Sequence, residues 1–239
     1  MNNLLSENFG LASVRMLSKL PFSHIFISGC LTNGELVSTG TKERAYIFPL
    51  FLYPEEPQKH LFGGGISEVK PIPNLTTEFL QAIKASLGTE PSPAEIFYYI
   101  YAVLYSPTYR KRYEEFLKID FPRVPLPSNY DAFKELSNLG KELIDLHLLK
   151  HPDLEKTEVG FPKSDSDKVE KVSYAEEGQR VFINKEQYFE GIPKVVWEYR
   201  IGAYQVMDKY LKDRKGRKLS LDEINHYMKV AKAIQLTSL

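Results

Sequence analysis

The fold is decided by the stretch SPAEIFYYIYAVLY, which occupies residues 92–105. Ser92 is followed at once by Pro93 and, three positions after the serine, by Glu95, which is the capping-box pattern of a helix N-terminus. The residues that follow are apolar around a wide face at helical spacing, and such a face must be buried. The stretch therefore predicts a buried helix near the centre of the chain.

Flanking patterns predict a helical block around this helix. A helix capped by Asn74 or Thr76 should end before Gly88, and two further helices are expected at 108–118 and 131–150. Three prolines make residues 121–127 extended rather than helical. The helix at 131–150 is expected to have one apolar side, formed by Phe133, Leu136, Leu139, Leu143, Ile144 and Leu146.

The N-terminal part of the chain has the composition of β-strands. Short runs rich in β-branched and aromatic residues predict strands at 11–17, 24–31, 35–38 and 45–53. Asn33-Gly34 lies between two of these runs, and this pair is a signal for a tight hairpin turn because both central positions need positive φ.

The C-terminal part combines strands and helices. A polar segment at 152–168 is predicted to be an exposed connector, followed by a hairpin formed by 169–174 and 180–183. A further strand is expected at 193–199 and a helix at 202–212. After a basic turn, Ser220 and Glu223 form a second capping-box pattern at the start of a last helix.

These elements predict an α+β fold. Mixed β-sheet segments from the N-terminal and 169–199 regions would pack with a helical block at about 76–150 and with C-terminal helices. The 239 residues contain no internal repeat and no long linker, so a single domain is expected. Its parts are a β-rich part at 1–75, a helical part at 76–151, the connector at 152–168, and a β then helical part at 169–239.

Composition excludes several classes of protein. With 43% hydrophobic and 26% charged residues, the chain should fold rather than remain disordered. No apolar run approaches the roughly 18 residues of a membrane-spanning helix, so no membrane partner is expected. The N-terminus lacks the features of a secretory signal, and the one cysteine, Cys30, cannot form an internal disulfide. These features predict a cytoplasmic location.

The charge is balanced overall but unevenly distributed. The chain has 31 basic and 31 acidic residues, yet residues 200–232 contain nine Lys or Arg against four acids, which gives +5 there and −5 elsewhere. This segment is the candidate for contact with an anionic partner, and a solvated helix face with a basic loop is the alternative interpretation.

No ordinary catalytic constellation is found. His147 and His151 are four residues apart but lack the third ligand and the general base of a zinc protease helix. Asp153, Glu155 and Lys156 superficially match the end of a metal-dependent nuclease site, although they lie in a polar connector rather than in a strand. The sequence contains no catalytic-loop motif of an amino-methyltransferase.

Two basic loops are better candidates for binding. Residues 39–44 join two predicted strands and combine small hydroxyl residues with two cations, which can donate to phosphate oxygens and to base acceptors. Residues 212–218 form a basic cluster suited to phosphate contacts. Ordinary solvated turns are the alternative for both loops.

Five blocks, in order along roughly residues 8–236, resemble the C-terminal specificity region of Type ISP and related Type IIG restriction-modification enzymes. They are TKERAYIFPLFLY at 41–53, EIFYYIYAVLYSPTYR at 95–110, FPRVPLP at 121–127, WEYRIGAYQV at 197–206 and LKDRKGRKLS at 211–220.

The resemblance implies a target recognition domain. In that family one polypeptide joins this region to an adenine methyltransferase and often to nuclease and helicase-like motor domains. The domain would read a short asymmetric sequence in double-stranded DNA and present the adenine to be flipped into the methyltransferase pocket. The chain would then be a non-catalytic C-terminal part of a longer enzyme, with double-stranded DNA and the methyltransferase domain as its partners.

The resemblance also bears on cofactors and site residues. No cofactor or metal is expected in this chain, because S-adenosylmethionine, Mg²⁺ and, with a motor, ATP would bind to the catalytic domains. Base-reading residues cannot be transferred from the family, so the DNA-facing set is predicted from charge. It consists of Thr41, Lys42 and Arg44; Arg110, Lys111 and Arg112; and Lys212, Arg214, Lys215, Arg217 and Lys218.

Two other functions remain as alternatives at this point. The chain could be a protein-interaction module that docks on the methyltransferase or motor domains and contacts DNA little. It could also be a small metal-dependent nuclease built around residues 153–156. The aromatic residues of 97–109 and 197–204 are assigned to core packing rather than to base stacking.

Overall fold

The structure, a computed structural model, describes residues 2–4, 7–17, 22–32, 44–53, 70–201 and 204–238. The predicted Asn33-Gly34 hairpin, the predicted strand at 35–38 and the candidate residues Thr41 and Lys42 lie outside the described residues. The chain divides into two compact units, Met1–Ile144 and Asp145–Leu239.

Unit 1 begins with a three-stranded antiparallel sheet. Its strands are β1 (Gly10–Val14), β2 (Ile25–Ser28) and β3 (Ala45–Pro49), with β1 in the centre. A small ribbon follows, formed by β4 (Phe51–Leu52) and β5 (Ile72–Pro73). All residues of β1 are buried, as expected for the central strand of a covered sheet.

The helical part of unit 1 follows the predicted order. Its helices are α1 (Thr77–Leu87), α2 (Pro93–Tyr105), α3 (Pro107–Arg112), α4 (Glu114–Leu117) and α5 (Tyr130–His147), the last turn of α5 belonging to unit 2. The Thr76 cap and the left-handed Gly88 at the end of α1 are confirmed, as is the Ser92–Glu95 capping box of α2. Both signals are local, which explains why they could be predicted.

Helix α2 is the centre of unit 1. Seven of its residues are buried, including Phe97, Tyr99 and Tyr101, and Phe97 packs edge-on against Phe9 with ring centroids 5.1 Å apart. Helix α5 crosses it closely at Gly140, where an added Cβ would lie 2.0 Å from the Tyr98 carbonyl oxygen. The assignment of the α2 aromatic residues to the core is therefore confirmed.

In its described residues, unit 2 contains a second three-stranded antiparallel sheet, a two-stranded ribbon and three complete α-helices. The elements are β6 (Ser173–Ala175), β7 (Arg180–Phe182), β8 (Tyr188–Phe189), α6 (Lys194–Trp197), β9 (Arg200–Ile201), β10 (Tyr204–Gln205), α7 (Val206–Lys212) and α8 (Leu221–Ser238). Their core is centred on Phe189, Met207 and Tyr227, which are fully buried.

The segment 152–168 is attached to unit 2 at several points. Most of its side chains are exposed, but Leu154 and Val159 are buried and Gly160 forms a β-bridge with Glu190. The buried Gln187 side chain donates to the Lys163 carbonyl at 3.0 Å and to the Asp167 carboxylate at 2.7 Å. These contacts hold the segment, whose only regular helix in the described residues is the single 3-10 turn Pro152–Glu155.

Four predicted details differ from the structure. The helix expected at 108–118 is interrupted at Tyr113, where ψ is 18°, and continues as α4. Leu139 is 49% exposed, because Phe133, Ser137, Gly140 and Ile144 form the buried side of α5 instead.

The other two corrections concern residues 193–206. The strand expected at 193–199 is the short helix α6, which begins after Pro193 and buries Val196. The helix expected from 202 begins only at Val206, because residues 200–201 and 204–205 pair as a ribbon. In both places a short apolar run fits strand and helix equally, and tertiary packing decides between them.

Antiparallel sheets and helices together confirm the predicted α+β class. Among the helices that the structure describes, none is long and apolar enough to cross a membrane.

Candidate nucleic-acid interface

Strand β3 exposes aromatic side chains at the edge of the unit 1 sheet. Tyr46 and Phe48 are 47% and 40% exposed, although both lie on a strand that pairs with the buried β1. Phe121 packs edge-on against both rings, with centroid distances of 5.1 Å to Tyr46 and 5.5 Å to Phe48. The three rings form a continuous aromatic surface.

Arginines flank these rings in the chain and in the sheet. Val14 pairs with Ala45 in the sheet, so Arg15 and Arg44 are the next residues where the two strands separate, and both are exposed. The Arg15 Nε donates to the Asp120 carboxylate at 3.3 Å. We call the set Arg15, Arg44, Tyr46, Phe48, Asp120, Phe121 and Arg123 the β3 patch.

The electrostatics of the β3 patch favour an anionic partner. The pKa of Asp120 is lowered, most strongly by a hydrogen bond from the Phe121 backbone. The hydrogen bond from Arg15 and the positive charges of Arg15 and Arg123 lower it further. Three arginines against this one carboxylate leave a net charge of 3 − 1 = +2 beside three aromatic rings. Cations interleaved with aromatic rings can bind phosphates and bases together.

Hydroxyl groups hold the proline-rich segment 121–127 in place. The Tyr109 hydroxyl donates to the Arg123 carbonyl at 2.7 Å and the Tyr99 hydroxyl donates to the Pro125 carbonyl at 3.0 Å. Burial raises the pKa of both tyrosines, so both remain neutral donors. The segment that carries Phe121 and Arg123 is therefore ordered although it is neither helix nor strand.

The structure places the predicted unit 1 residues in different environments. Arg44 lies in the β3 patch. Arg110 is half-buried, donates to the Leu104 carbonyl at 2.9 Å, and has its guanidinium 4.6 Å from the centre of the Tyr105 ring. Lys111 and Arg112 are exposed on α3.

The predicted basic turn at 212–218 is held together by Glu223. This carboxylate accepts from the Arg214 Nε at 3.0 Å and from Arg217 at 2.6 Å. The Arg214 guanidinium also lies 3.6 Å from the centre of the Tyr210 ring and donates to the Tyr210 carbonyl. Both arginines are therefore engaged in the internal structure of unit 2.

The lysines of the same turn differ from the arginines. Lys212 forms an ion pair with Asp208 at 2.7 Å. Lys215 and Lys218 are exposed, and neither forms an ion pair with any residue that the structure describes. These two lysines are the cations of the turn that can reach a phosphate without breaking an internal ion pair.

Glu223 also caps helix α8. Its backbone N–H donates to the Ser220 hydroxyl at 3.2 Å, and its carboxylate accepts from the Ser220 backbone N–H at 3.0 Å. The bonds from Arg217 first, and then from Ser220 and Arg214, lower the pKa of Glu223 to about 2. The predicted capping box is confirmed, and it is joined to the basic turn.

Sequence reasoning missed Arg15, Asp120 and Arg123 as members of the β3 patch. The alternation of Arg44, Tyr46 and Phe48 along one strand was a usable signal, because alternate residues share a face. Arg15 and Arg123 come from distant parts of the chain, and no local pattern indicates that they meet β3.

The residues of the nuclease alternative lie on a short 3-10 helix. Leu154 between them is buried, and Glu155 forms an ion pair with Lys229 at 2.5 Å. In the described part of the chain, no group of three His, Cys, Asp or Glu residues could hold a metal ion.

An α+β fold with a cationic and aromatic sheet edge defines a candidate nucleic-acid-binding domain. The family model described as the Type ISP C-terminal specificity domain matches residues 1–238. The chain therefore belongs to the family of Type ISP C-terminal specificity domains, as its sequence blocks predicted. No curated protein matches it in sequence.

Solved structures share the fold over nearly the whole chain. The DrdV–DNA complex is 20% identical, with a TM-score of 0.70, and the match covers 97% of this chain and 24% of that one. The ATP-dependent Type ISP restriction-modification enzyme LlaBIII bound to DNA is 20% identical, with a TM-score of 0.72 and coverage of 98% and 16%.

A third similar structure is a nuclease-deletion mutant of the Type ISP restriction-modification enzyme LlaGI in complex with a DNA substrate mimic. It is 22% identical, with a TM-score of 0.65, and the match covers 98% of this chain and 20% of that chain. The chain thus spans about a quarter or less of the length of these three proteins.

Proposed function

We propose that this chain is a DNA target recognition domain that reads a short sequence in double-stranded DNA for a restriction-modification enzyme. The β3 patch is the observation that carries the proposal, because it combines a net positive charge with exposed aromatic rings on an ordered surface. Membership of the specificity-domain family and the DNA complexes of three structurally similar proteins support the same role.

The contacts would divide into two kinds. Arg15, Arg44 and Arg123 supply phosphate contacts and orient the duplex, whereas the ring edges and polar groups near them meet the bases. Lys111 and Arg112 in unit 1, and Lys215 and Lys218 in unit 2, are further candidates for phosphate contact. Arg214 and Arg217 act indirectly, because they hold the turn that presents the two lysines.

The chemistry belongs to other domains in this proposal. Adenine methylation and DNA cleavage are carried out by catalytic domains of the parent enzyme, which bind S-adenosylmethionine, Mg²⁺ and, where a motor is present, ATP. This chain contributes the choice of sequence and the positioning of the adenine for flipping. The methyltransferase domain is accordingly its protein partner.

Salt-dependent binding of duplex DNA tests the role of the β3 patch. Arg15, Arg44 and Arg123 are changed together to glutamine, and affinity for a mixed-sequence duplex is measured by fluorescence anisotropy at several salt concentrations. Each lost phosphate contact lowers the slope of log affinity against log salt by about 0.9, so the slope should fall by roughly 3.

A charge-matched control accompanies this variant. Lys84, Lys141 and Lys150, exposed lysines outside the patch, are changed together to glutamine, which alters the net charge by the same amount. This control should retain most of the slope. Equal slopes for the two triple variants would mean that only overall charge matters, and the β3 patch would lose its assigned role.

A further inference from the structure

An apolar groove of about 390 Å³ opens beside the β3 patch in unit 1. Its walls include Leu11 of β1, Phe97 and Ile100 of α2, and the Phe48 and Phe121 rings, which also belong to the patch. The groove therefore lies between the inner face of the sheet and the central helix, with its aromatic edge shared with the cationic surface.

A buried hydroxyl lies in the wall of this groove. Ser13 is only 1% exposed, and its one described hydrogen bond is a long contact of 3.4 Å to the carbonyl of its neighbour Val14. A contact of this length is weak, and a buried hydroxyl without a good partner costs stability. The hydroxyl is therefore a candidate donor or acceptor for a ligand that enters the groove deeply enough to reach this buried residue.

A second polar group lines the groove. The Asn74 side-chain nitrogen donates to the Pro49 carbonyl at 3.0 Å, which fixes the orientation of the amide. Its oxygen, the acceptor of the amide, makes no hydrogen bond with the described residues. An oriented acceptor of this kind suits an exocyclic amino group or a ring N–H.

These groups together match the chemistry of a nucleotide. Apolar and aromatic walls suit the face of a base, the Ser13 hydroxyl and the Asn74 oxygen suit its polar edge, and the arginines of the patch suit the adjoining phosphates. An apolar protein side chain would offer the Ser13 hydroxyl no better partner than the distant Val14 carbonyl, and it would make no use of the positive charge beside the groove.

We propose that this groove binds a single nucleobase that has left the stack of the bound DNA. The Ser13 hydroxyl and the Asn74 amide oxygen hydrogen-bond to its edge, and Arg15, Arg44 and Arg123 hold the backbone on either side. This inference rests on the proposed DNA-binding function, and it assigns to the domain a site for an unstacked base in addition to contacts with the intact duplex.

Two DNA probes separate base binding from backbone binding. One is a short duplex with one extrahelical adenine, and the other is the same duplex with an abasic nucleotide at that position. Because a base held against aromatic rings contributes substantially to binding, the adenine probe should bind roughly tenfold more tightly than the abasic probe by fluorescence anisotropy.

Variants of the groove test whether it is the source of the difference in affinity between the two probes. Val124→Trp places a large side chain at the wall and should make the two probes bind equally, while leaving the affinity for the abasic probe unchanged. The matched control Leu126→Trp alters an exposed residue of the same segment and should keep the preference. Ser13→Ala, which removes only the hydroxyl, should reduce the preference severalfold. Thermal melting establishes that each variant is folded.

The outcomes distinguish this inference from the proposed function. Failure of the unaltered protein to bind either probe would contradict DNA recognition itself. Equal and measurable binding of both probes would contradict only the base site. If the probes bind equally and Val124→Trp also weakens association with the parent methyltransferase, the occupant of the groove would be a protein side chain instead of a base.

Discussion

Glu223 joins a helix cap to a basic turn with one carboxylate. It accepts hydrogen bonds from the Ser220 backbone and from two arginines, and its exposed fraction is 20%. Single surface ion pairs contribute little, but a carboxylate that caps a helix and bridges two ordered guanidinium groups is part of a network. The turn is thus ordered by its arginines, and its lysines remain available.

The low pKa of Glu223 predicts acid sensitivity in unit 2. Its pKa is about 2 in the folded protein and 4.5 without the fold, so its contribution to stability is complete above about 4.5 and is lost as the pH falls towards 2. Urea unfolding at pH values between 6 and 3, followed by the fluorescence of Trp197, the single tryptophan, measures this loss.

Glu223→Gln should lower the free energy of unfolding at neutral pH and flatten its decrease in acid. Glu142→Gln, at an exposed glutamate of α5 outside the capping boxes, is the matched control and should follow the unaltered protein. An undiminished acid dependence in Glu223→Gln would assign the effect to other carboxylates.

At the scale of the elements, Gly140 leaves less room for a side chain than any other glycine that the structure describes, because α5 lies against α2 there. At Gly140 a methyl group would lie 2.0 Å from the Tyr98 carbonyl oxygen and 2.7 Å from its carbon, which are backbone atoms that cannot rotate away. The glycine is therefore required by packing, although it weakens the helix that contains it.

Gly140→Ala should destabilise the protein despite the better helix propensity of alanine. The gain in propensity is about 1 kcal/mol, whereas separating the two helices should cost more than that, because overpacking a core costs about 1–3 kcal/mol and here the obstacle is backbone. Thermal and urea unfolding measure the balance. Asn138→Ala, at an exposed position of the same helix, is the control and should be neutral or slightly stabilising. A stabilised Gly140→Ala would show that the two helices can move apart at little cost in free energy.

The sequence predicted best those features that depend on residues close together in the chain. The caps at Thr76, Ser92 and Ser220 were predictable because donor and acceptor lie within three residues. The β3 patch was predicted only at Arg44, since Arg15 and Arg123 join it through sheet pairing and through the hydroxyl contacts of the 121–127 segment. The paired state of Arg214 and Arg217 was missed because Glu223 was interpreted only as a capping residue.

For the whole molecule, the net charge of zero does not show that basic and acidic residues are unevenly distributed. The excess of +5 in residues 200–232 already counts the acids that pair with Lys209, Lys212, Arg214 and Arg217, and the ion pair of Lys229 with Glu155 offsets one further charge. Neutral proteins can bind DNA when their unpaired cations are concentrated on one surface. The unpaired cations of each unit therefore matter more than the total.

Exchange of the whole chain tests the function at this scale. If the region chooses the DNA target, then replacing the corresponding region of a related restriction-modification enzyme with this chain should move its methylation sites to new sequences. Sequencing of modified bases in genomic DNA measures the outcome. A hybrid that methylates DNA at the recipient's original sites would assign target choice to another region, and an exchange of the recipient's own region is the control.

The attachment of residues 121–127 has a consequence for how such a protein can diverge. The segment is held by hydrogen bonds from the hydroxyl groups of Tyr99, Tyr109 and Ser86 to its backbone carbonyl oxygens. Every amino acid has a backbone carbonyl oxygen. Side chains along the segment can consequently be replaced during evolution while the anchorage persists, which permits new surface chemistry on an unchanged support.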